Sequence, residues 1–375
     1  MTDLPSPTFC PAPWISVLQL NDMYVPCCEY KDWVKLPLKK YFESEHLNDL
    51  KQQLLTGQKP RGCNICWQVE ESGALSKRER LLIQYKDMLP QLAQDNYEKS
   101  YMTEYWLKLG NLCNLRCRTC EPTFSTRWQA EYKRTGRDYV PTYIMEPDHD
   151  MFRHIKDHAA NVTYIVFSGG ETFMNAIDQQ QDILQYLVDA GYSKNITLKY
   201  YNNTTQDMSA ISQYWKHFKY IDLHCSVDGY DKTFEYLRNP AKWENTVRWL
   251  QNTKDLEKQI PSLEMRVIFT MSVLSIPSIK KTKSMLDNMG IPIFLPTVSY
   301  PVHYAAEYFN IPLKQYLSDC VPEDVATVQE YKKSLPLQPH IPGIEQRLIT
   351  ELETFDQGRG EDWRLTFPDL VEYLT

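Results

Sequence analysis

Eight of the ten cysteines in this chain lie within its first 120 residues, in tight groups: Cys10, Cys27-Cys28, Cys63 with Cys66, and Cys113, Cys117 and Cys120. A chain of 375 residues is long enough to bury a core without staples. Ten cysteines are also too few for a disulfide-dense scaffold. The N-terminal residues lack the basic start, apolar run and small-residue cleavage site of a secretory leader. No apolar run approaches the roughly 18 residues that a membrane span needs. The expectation is a cytoplasmic protein with no membrane partner. Thiols stay reduced in that compartment, and clustered cysteines there mean metal or redox chemistry before disulfides.

The composition, 42% hydrophobic and 24% charged, is that of a globular protein and excludes disordered, collagenous and low-complexity classes. Lys and Arg total 41 against 48 for Asp and Glu, so the chain carries no overall basic footprint and nucleic acid is not an expected partner. The length favours two to three domains at about 150 residues each. Residues 1–102 read as a Cys-rich module with a helical linker. Trp14 to Leu20 alternates as a strand, Asn21-Asp22 is a turn, and Tyr24-Val25 returns to Cys27-Cys28. From residue 103 strands alternate with helices. The strands fall at 105–109, 162–167, 196–201, 220–227, 265–273 and 291–295, a spacing suited to parallel β/α units. Residues 301–375 form a Pro-rich C-terminal extension.

Cys113, Cys117 and Cys120 have C-x3-C-x2-C spacing directly after the first of these strands. A loop of that length can aim three thiolates at one centre, and soft thiolates select zinc, Cu(I) or iron–sulfur clusters. A [4Fe–4S] cluster usually takes four cysteines. Three leave one iron open, and an open metal position is where substrates bind. A zinc knuckle with a distant fourth ligand is the alternative. The second strand ends in Ser168-Gly169-Gly170-Glu171, where the glycines permit close backbone approach. In parallel β/α folds ligands gather at this end of the strands.

In this order the motifs resemble the radical S-adenosylmethionine (SAM) superfamily. Tyr201-Asn202-Asn203-Thr204 is similar to its Thr-Asn-Gly-Thr segment, with Asn203 in place of Gly. His224-Cys225-Ser226-Val227-Asp228-Gly229 is similar to its Ser-x-Asp-Gly segment. Leu237-Arg238-Asn239-Pro240 is similar to the Arg-containing stretch that follows. Thr119 stands where the family often has an aromatic residue. The resemblance covers residues 103–300 and implies an α/β fold built on a partial (β/α)6 TIM-type barrel. It also implies a [4Fe–4S] cluster on Cys113, Cys117 and Cys120 whose open iron SAM chelates. The SAM-binding residues it implies are Gly169, Gly170, Glu171, Asn203, Ser226 and Arg238. A flavodoxin or ferredoxin electron donor follows from the same resemblance.

Cys10, Cys27, Cys28, Cys63 and Cys66 form the second group. From spacing alone, a zinc ribbon and a cluster site are both open. The hairpin, the Cys pair and Cys63-x2-Cys66-Trp67 resemble the twitch or SPASM modules of radical SAM enzymes. That resemblance implies an auxiliary [4Fe–4S] cluster, here ahead of the barrel. Cys10, Cys28, Cys63 and Cys66 are the preferred ligands, with Cys27 as the spare.

Strand alternation puts His224, Ser226 and Asp228 on one face and Cys225 on the other. His224 and Asp228 are therefore candidate catalytic groups, with a satisfied core histidine as the plainer reading of His224. Cys320 is a third candidate, since a Cys can return a hydrogen atom to a substrate radical in radical epimerases. Its plainer reading is a small buried hydrophobe. The expected activity is hydrogen abstraction from a small molecule, sugar or peptide, followed by oxidation, epimerisation or cross-linking. The rival is a zinc-binding interaction module without catalysis.

Overall fold

The hairpin that follows Cys10 does not stand apart from the rest of the chain. Its first strand, β1 (Ser16–Leu20), turns back into β2 (Met23–Val25) and also pairs in parallel with β3 (Glu104–Lys108), with Val17 opposite Tyr105. Five further strands continue the sheet: β4 (Tyr164–Ser168), β5 (Thr197–Asn202), β6 (Tyr220–Ser226), β7 (Leu263–Ile268) and β8 (Ile293–Phe294). The order is β2-β1-β3-β4-β5-β6-β7-β8, and only the β1–β2 pairing is antiparallel. The fold is therefore α/β with a mostly parallel eight-stranded sheet. It is a computed structural model that describes residues 4–21, 23–71, 73, 75–323, 329, 331–333 and 335–375.

The expected strands are present with shifted ends. Trp14-Ile15 belongs to a short helical turn, Ala12–Ile15, because Pro11 and Pro13 favour a helix start. The Tyr101 and Thr103 amides then donate to the Trp14 and Ile15 carbonyls, at 2.7 and 2.9 Å, and align β1 beside β3. β7 stops at Ile268 rather than continuing to Val273, and the Thr270 amide donates to the Asp228 carboxylate instead.

Alternation divides the sheet into two faces. Leu107, Phe167, Tyr200, Leu223, Cys225 and Val267 are fully buried on the outer face beneath the helices. The long helix Trp243–Gln259 contributes Trp243, Thr246, Leu250 and Thr253 to that layer at helical spacing. The inner face bears Trp106, Tyr164, Lys199, Tyr201, Asp222, His224 and Arg266, which line one cleft of about 640 Å³. Side chains from β3 through β8 share this cleft, so the sheet wraps around it. Among the described residues β2 and β8 remain its two edges. No helix among them is long and apolar enough to cross a membrane.

Candidate functional site

The chain leaves β3 through Leu109-Gly110-Asn111 and enters the cysteine loop. The end of β4 seats that loop. The Leu109 amide donates to the Ser168 carbonyl at 2.9 Å, and the Glu171 amide donates to the Leu112 carbonyl at 2.7 Å. Gly170 has φ +52°, and a Cβ there would lie 2.2 Å from the Leu112 carbonyl oxygen. Glycine is thus demanded by the backbone of the Cys loop itself. Asn175 completes the seat, accepting from the Leu112 amide at 3.1 Å and donating to its carbonyl at 2.8 Å.

The far side of the loop is also pinned. The Arg116 and Arg118 amides donate to the Asn239 and Leu237 carbonyls, both at 2.8 Å. Trp128 Nε1 donates to the Cys117 carbonyl at 3.1 Å. Held in this way, Cys113, Cys117 and Cys120 act on one another electrostatically. Burial pushes the Cys113 thiol up to about 11, with Cys117 adding to the effect. Burial also pushes Cys120 upward, reinforced by Cys117 and Cys113. Protonated thiols must give up their protons before they ligate a metal.

The expected SAM-binding residues surround this loop, in unequal roles. Glu171 is fully buried, and its carboxylate accepts from the Phe173 and Asn203 amides at 3.1 and 2.7 Å. Burial pushes its carboxyl up to about 7. It ties the end of β4 to the end of β5 and leaves little for a ligand. The Asn203 side chain donates to Cys113 Sγ at 3.6 Å and to Asn114 Oδ1 at 2.9 Å. Ser226 ends β6 half-buried. Arg238 is buried beside Cys117 and Cys113, paired with Asp228, and its Nε has no hydrogen-bond partner among the described residues.

Two of the expected catalytic groups lie elsewhere in the chemistry. Asp228 has one carboxylate oxygen on Arg238 and the other on the Thr270 amide, at 2.7 Å for the latter. It holds Arg238 against the thiols and is not free for proton transfer. Cys320 ends the helix Ile311–Cys320 beside Tyr316, Lys280 and Asp369, none of which lines the cleft. Cys320 thus does not line the cleft.

His224 does face the cleft. Its Nε2 lies 2.9 Å from Asp222 Oδ1, which also pairs with Arg266, while Asp222 Oδ2 pairs with Lys199. Its Nδ1 has no partner among the described residues, and burial holds the ring's pKa below the ordinary value. A neutral imidazole with one free nitrogen can accept or pass a proton.

The second group of cysteines sorts differently from expectation. Cys10, Cys27, Cys63 and Cys66 line one pocket, walled by Tyr30, Trp67 and Leu81. Cys28, the preferred fourth ligand, lines the main cleft instead. Consecutive residues leaving a strand point to opposite sides, and this turn sends Cys27 inward to the pocket. Glu29, Cys66 and Lys77 border both cavities. Among the described residues no three His, Cys, Asp or Glu side chains converge as ligands of a single metal ion. Zinc would draw its sulfurs to about 2.3 Å from one point. The four thiols line a pocket of about 20 Å³.

Sequence reasoning missed two features. Lys108 follows Trp106 at a spacing of two on the inner face, a signal present in the alternation. The C-terminal acids Asp356 and Glu361 both pair with the fully buried side chain of Arg118, within the Cys loop, and nothing local in their sequence marks them.

No family model matches the chain, and no curated protein matches it. Among solved structures, native anSMEcpe with bound AdoMet and Cp18Cys peptide is similar at 13% identity and TM-score 0.42, over 58% of each chain. SuiB of Streptococcus suis bound to S-adenosylmethionine is similar at 12% identity and TM-score 0.41, over 82% of this chain and 66% of that one. The radical S-adenosylmethionine methyltransferase TsrM of Kitasatospora setae, with cobalamin and a [4Fe-4S] cluster bound, is similar at 10% identity and TM-score 0.34, over 52% of this chain and 34% of that one. This chain therefore spans less than two thirds of the length of each of the three.

Proposed function

We propose that this chain is a radical SAM enzyme with an auxiliary iron–sulfur site. The observation that carries the reading is the loop of Cys113, Cys117 and Cys120, pinned by backbone hydrogen bonds where the parallel strands β3 and β4 end, with Cys113 and Cys117 both acting on Cys120. The donor set fits a [4Fe–4S] cluster with one open iron. Three soft thiols are present, and the buried Arg238 guanidinium and Asn203 amide stand beside them to offset thiolate charge. When bound, the cluster would supply an electron that cleaves SAM to methionine and a 5′-deoxyadenosyl radical able to abstract hydrogen from an unactivated carbon.

The protein's part is to position and to exclude water. Gly169 and Gly170 hold the Cys loop and leave their backbone beside it. Asn203 and Arg238 orient the thiolates, Asp228 fixes Arg238, and Glu171 fixes Asn203. The cleft floor offers Trp106, Tyr164 and Tyr201 with Lys199, Arg266 and His224, a lining suited to a polar small molecule, sugar or peptide. His224 Nδ1 would exchange a proton with that substrate. Cys10, Cys27, Cys63 and Cys66 would hold the auxiliary cluster across a shared wall from the substrate. From there it can accept an electron during an oxidation or support an epimerisation or cross-link. A flavodoxin or ferredoxin would reduce the first cluster.

The test is iron content and EPR after anaerobic reconstitution, on the wild type and a Cys113/Cys117/Cys120→Ala variant. About eight irons should fall to about four. The reduced wild type should release 5′-deoxyadenosine from SAM. Stoichiometric zinc at both sites, unmoved by reconstitution, would overturn the reading in favour of a zinc-binding interaction module.

A further inference from the structure

Lys108 is the last residue of β3, on the inner face two residues beyond Trp106. Its register partner on β4 is Ser168, which directly precedes the glycine pair. Its stem lies along that pair: a Cβ built on Gly169 would sit 2.6 Å from Lys108 Cγ. The residue is 4% exposed. Its ammonium makes neither a hydrogen bond nor an ion pair with any described residue. Its contact is the face of Phe124, with Nζ 4.2 Å from the ring centroid. Glu121 and Cys120 act on it through space, and neither reaches it as a partner.

An ammonium on a side chain that is 4% exposed, with no acceptor from the described residues, keeps only a narrow access to water and is poised for an anionic partner. A cation–π contact offsets part of that cost. The remainder points to an anion beside the Gly169 backbone and the third cysteine of the loop. On the reading proposed above, the ligand there is SAM, whose only anionic group is the carboxylate of its methionine part. We infer that Lys108 receives that carboxylate by a charge-assisted hydrogen bond and so sets the affinity and orientation of SAM in the cradle. Arg238 is already committed to Asp228, and Lys199 to Asp222, both within salt-bridge distance. Among the described residues, Lys108 is an inner-face cation at the loop that is left without a carboxylate.

The experiment is equilibrium binding of SAM and of decarboxylated SAM to the iron-loaded, unreduced protein, for wild type, Lys108→Met and Lys108→Arg. Lys108→Met should bind SAM about 10- to 100-fold more weakly, the span expected for a hydrogen bond to a charged group. Its affinity for decarboxylated SAM should match that of the wild type. Lys108→Arg should retain most of the SAM affinity. Lys108→Gln repeats the neutral substitution with a polar side chain if the apolar one fails to fold or to load iron. Wild-type SAM affinity in the neutral variants would overturn the assignment, including the case in which a carboxylate substrate is weakened instead. An iron-loaded wild type that binds no SAM would overturn the radical SAM reading together with it.

Discussion

The buried ion pairs between the C-terminal extension and the Cys loop lead to a sharp expectation. Arg118, between Cys117 and Cys120, has no exposed side-chain surface, and its Nη2 meets both Asp356 and Glu361. Asp356 also accepts from the Tyr236 hydroxyl at 2.8 Å and from the Trp363 amide at 2.7 Å. The Arg118 guanidinium lies 4.1 Å from the Tyr236 ring centroid. Removing one member of a buried pair costs about 3–5 kcal/mol, because the other charge stays buried. Asp356→Asn preserves shape and leaves Glu361 opposite Arg118, so it should cost about 3 kcal/mol, the lower end. Arg118→Met strips both acids of their cation and belongs at about 5 kcal/mol, the upper end. The double variant should fall short of the sum by about 1–3 kcal/mol, since the groups share one network. These values are read as shifts of the denaturant midpoint at constant slope. Reconstituted iron should fall at the Cys113, Cys117 and Cys120 site and persist at the N-terminal one. An Asp356→Asn protein within about 0.5 kcal/mol of wild type and fully loaded with iron would refute the claim that the extension holds the loop.

Three more expectations follow from the geometry. Gly170→Ala would force a Cβ to within 2.2 Å of the Leu112 carbonyl at a left-handed φ, so reconstituted iron should fall at the adjacent Cys site while far-UV circular dichroism is kept; normal loading would contradict the seating role. Cys27→Ser should lose the irons of the N-terminal site and Cys28→Ser should keep them, read by iron content in the background lacking Cys113, Cys117 and Cys120; the reverse pattern would restore Cys28 as the ligand. Burial alone would raise the Asp222 carboxyl, but the His224 hydrogen bond and the charges of Lys199 and Arg266 outweigh it and hold the group at about 2, below its ordinary 3.8. A carboxyl held low contributes stability that is present above pH 4 and lost as pH falls from about 4 to 2, about 2 kcal/mol in all. Asp222→Asn should flatten that acid limb of the stability profile, and an unchanged limb would remove the network from the account.

Much of the site could be read from local sequence because its residues lie at the ends of short periodic segments. Alternation placed His224 inward and Cys225 outward, and the Gly-Gly pair lies where strand β4 ends. What could not be read depends on contacts between distant segments. Both oxygens of Asp228 are taken, one by an arginine ten residues on and the other by the Thr270 amide just beyond β7. The choice between Cys27 and Cys28 turns on one backbone bend after β2. Arg118 meets acids more than 230 residues away, and no spacing rule reaches that far. The extension therefore had no motif to find, although its acids now stand against the cysteine loop.

The position of the N-terminal cysteines follows from topology more than from any feature of the module. Strands consecutive in a chain tend to be neighbours in the sheet, and β1 takes the open edge beside β3, the first strand of the alternating region. β3 is also the strand that delivers Lys108 and the loop of Cys113. A Cys-rich segment preceding the barrel is thereby fixed at the side of the sheet nearest the three-cysteine loop. The pocket of Cys10, Cys27, Cys63 and Cys66 shares Glu29, Cys66 and Lys77 with the cleft, a wall that a flexibly tethered module could not maintain. Edge pairing also makes this arrangement cooperative, since the Tyr101 and Thr103 amides that lead into β3 bond to the residues leading into β1. Loosening the hairpin should therefore disturb the cleft wall and the pocket together, whereas a separately folded module would lose only its own site.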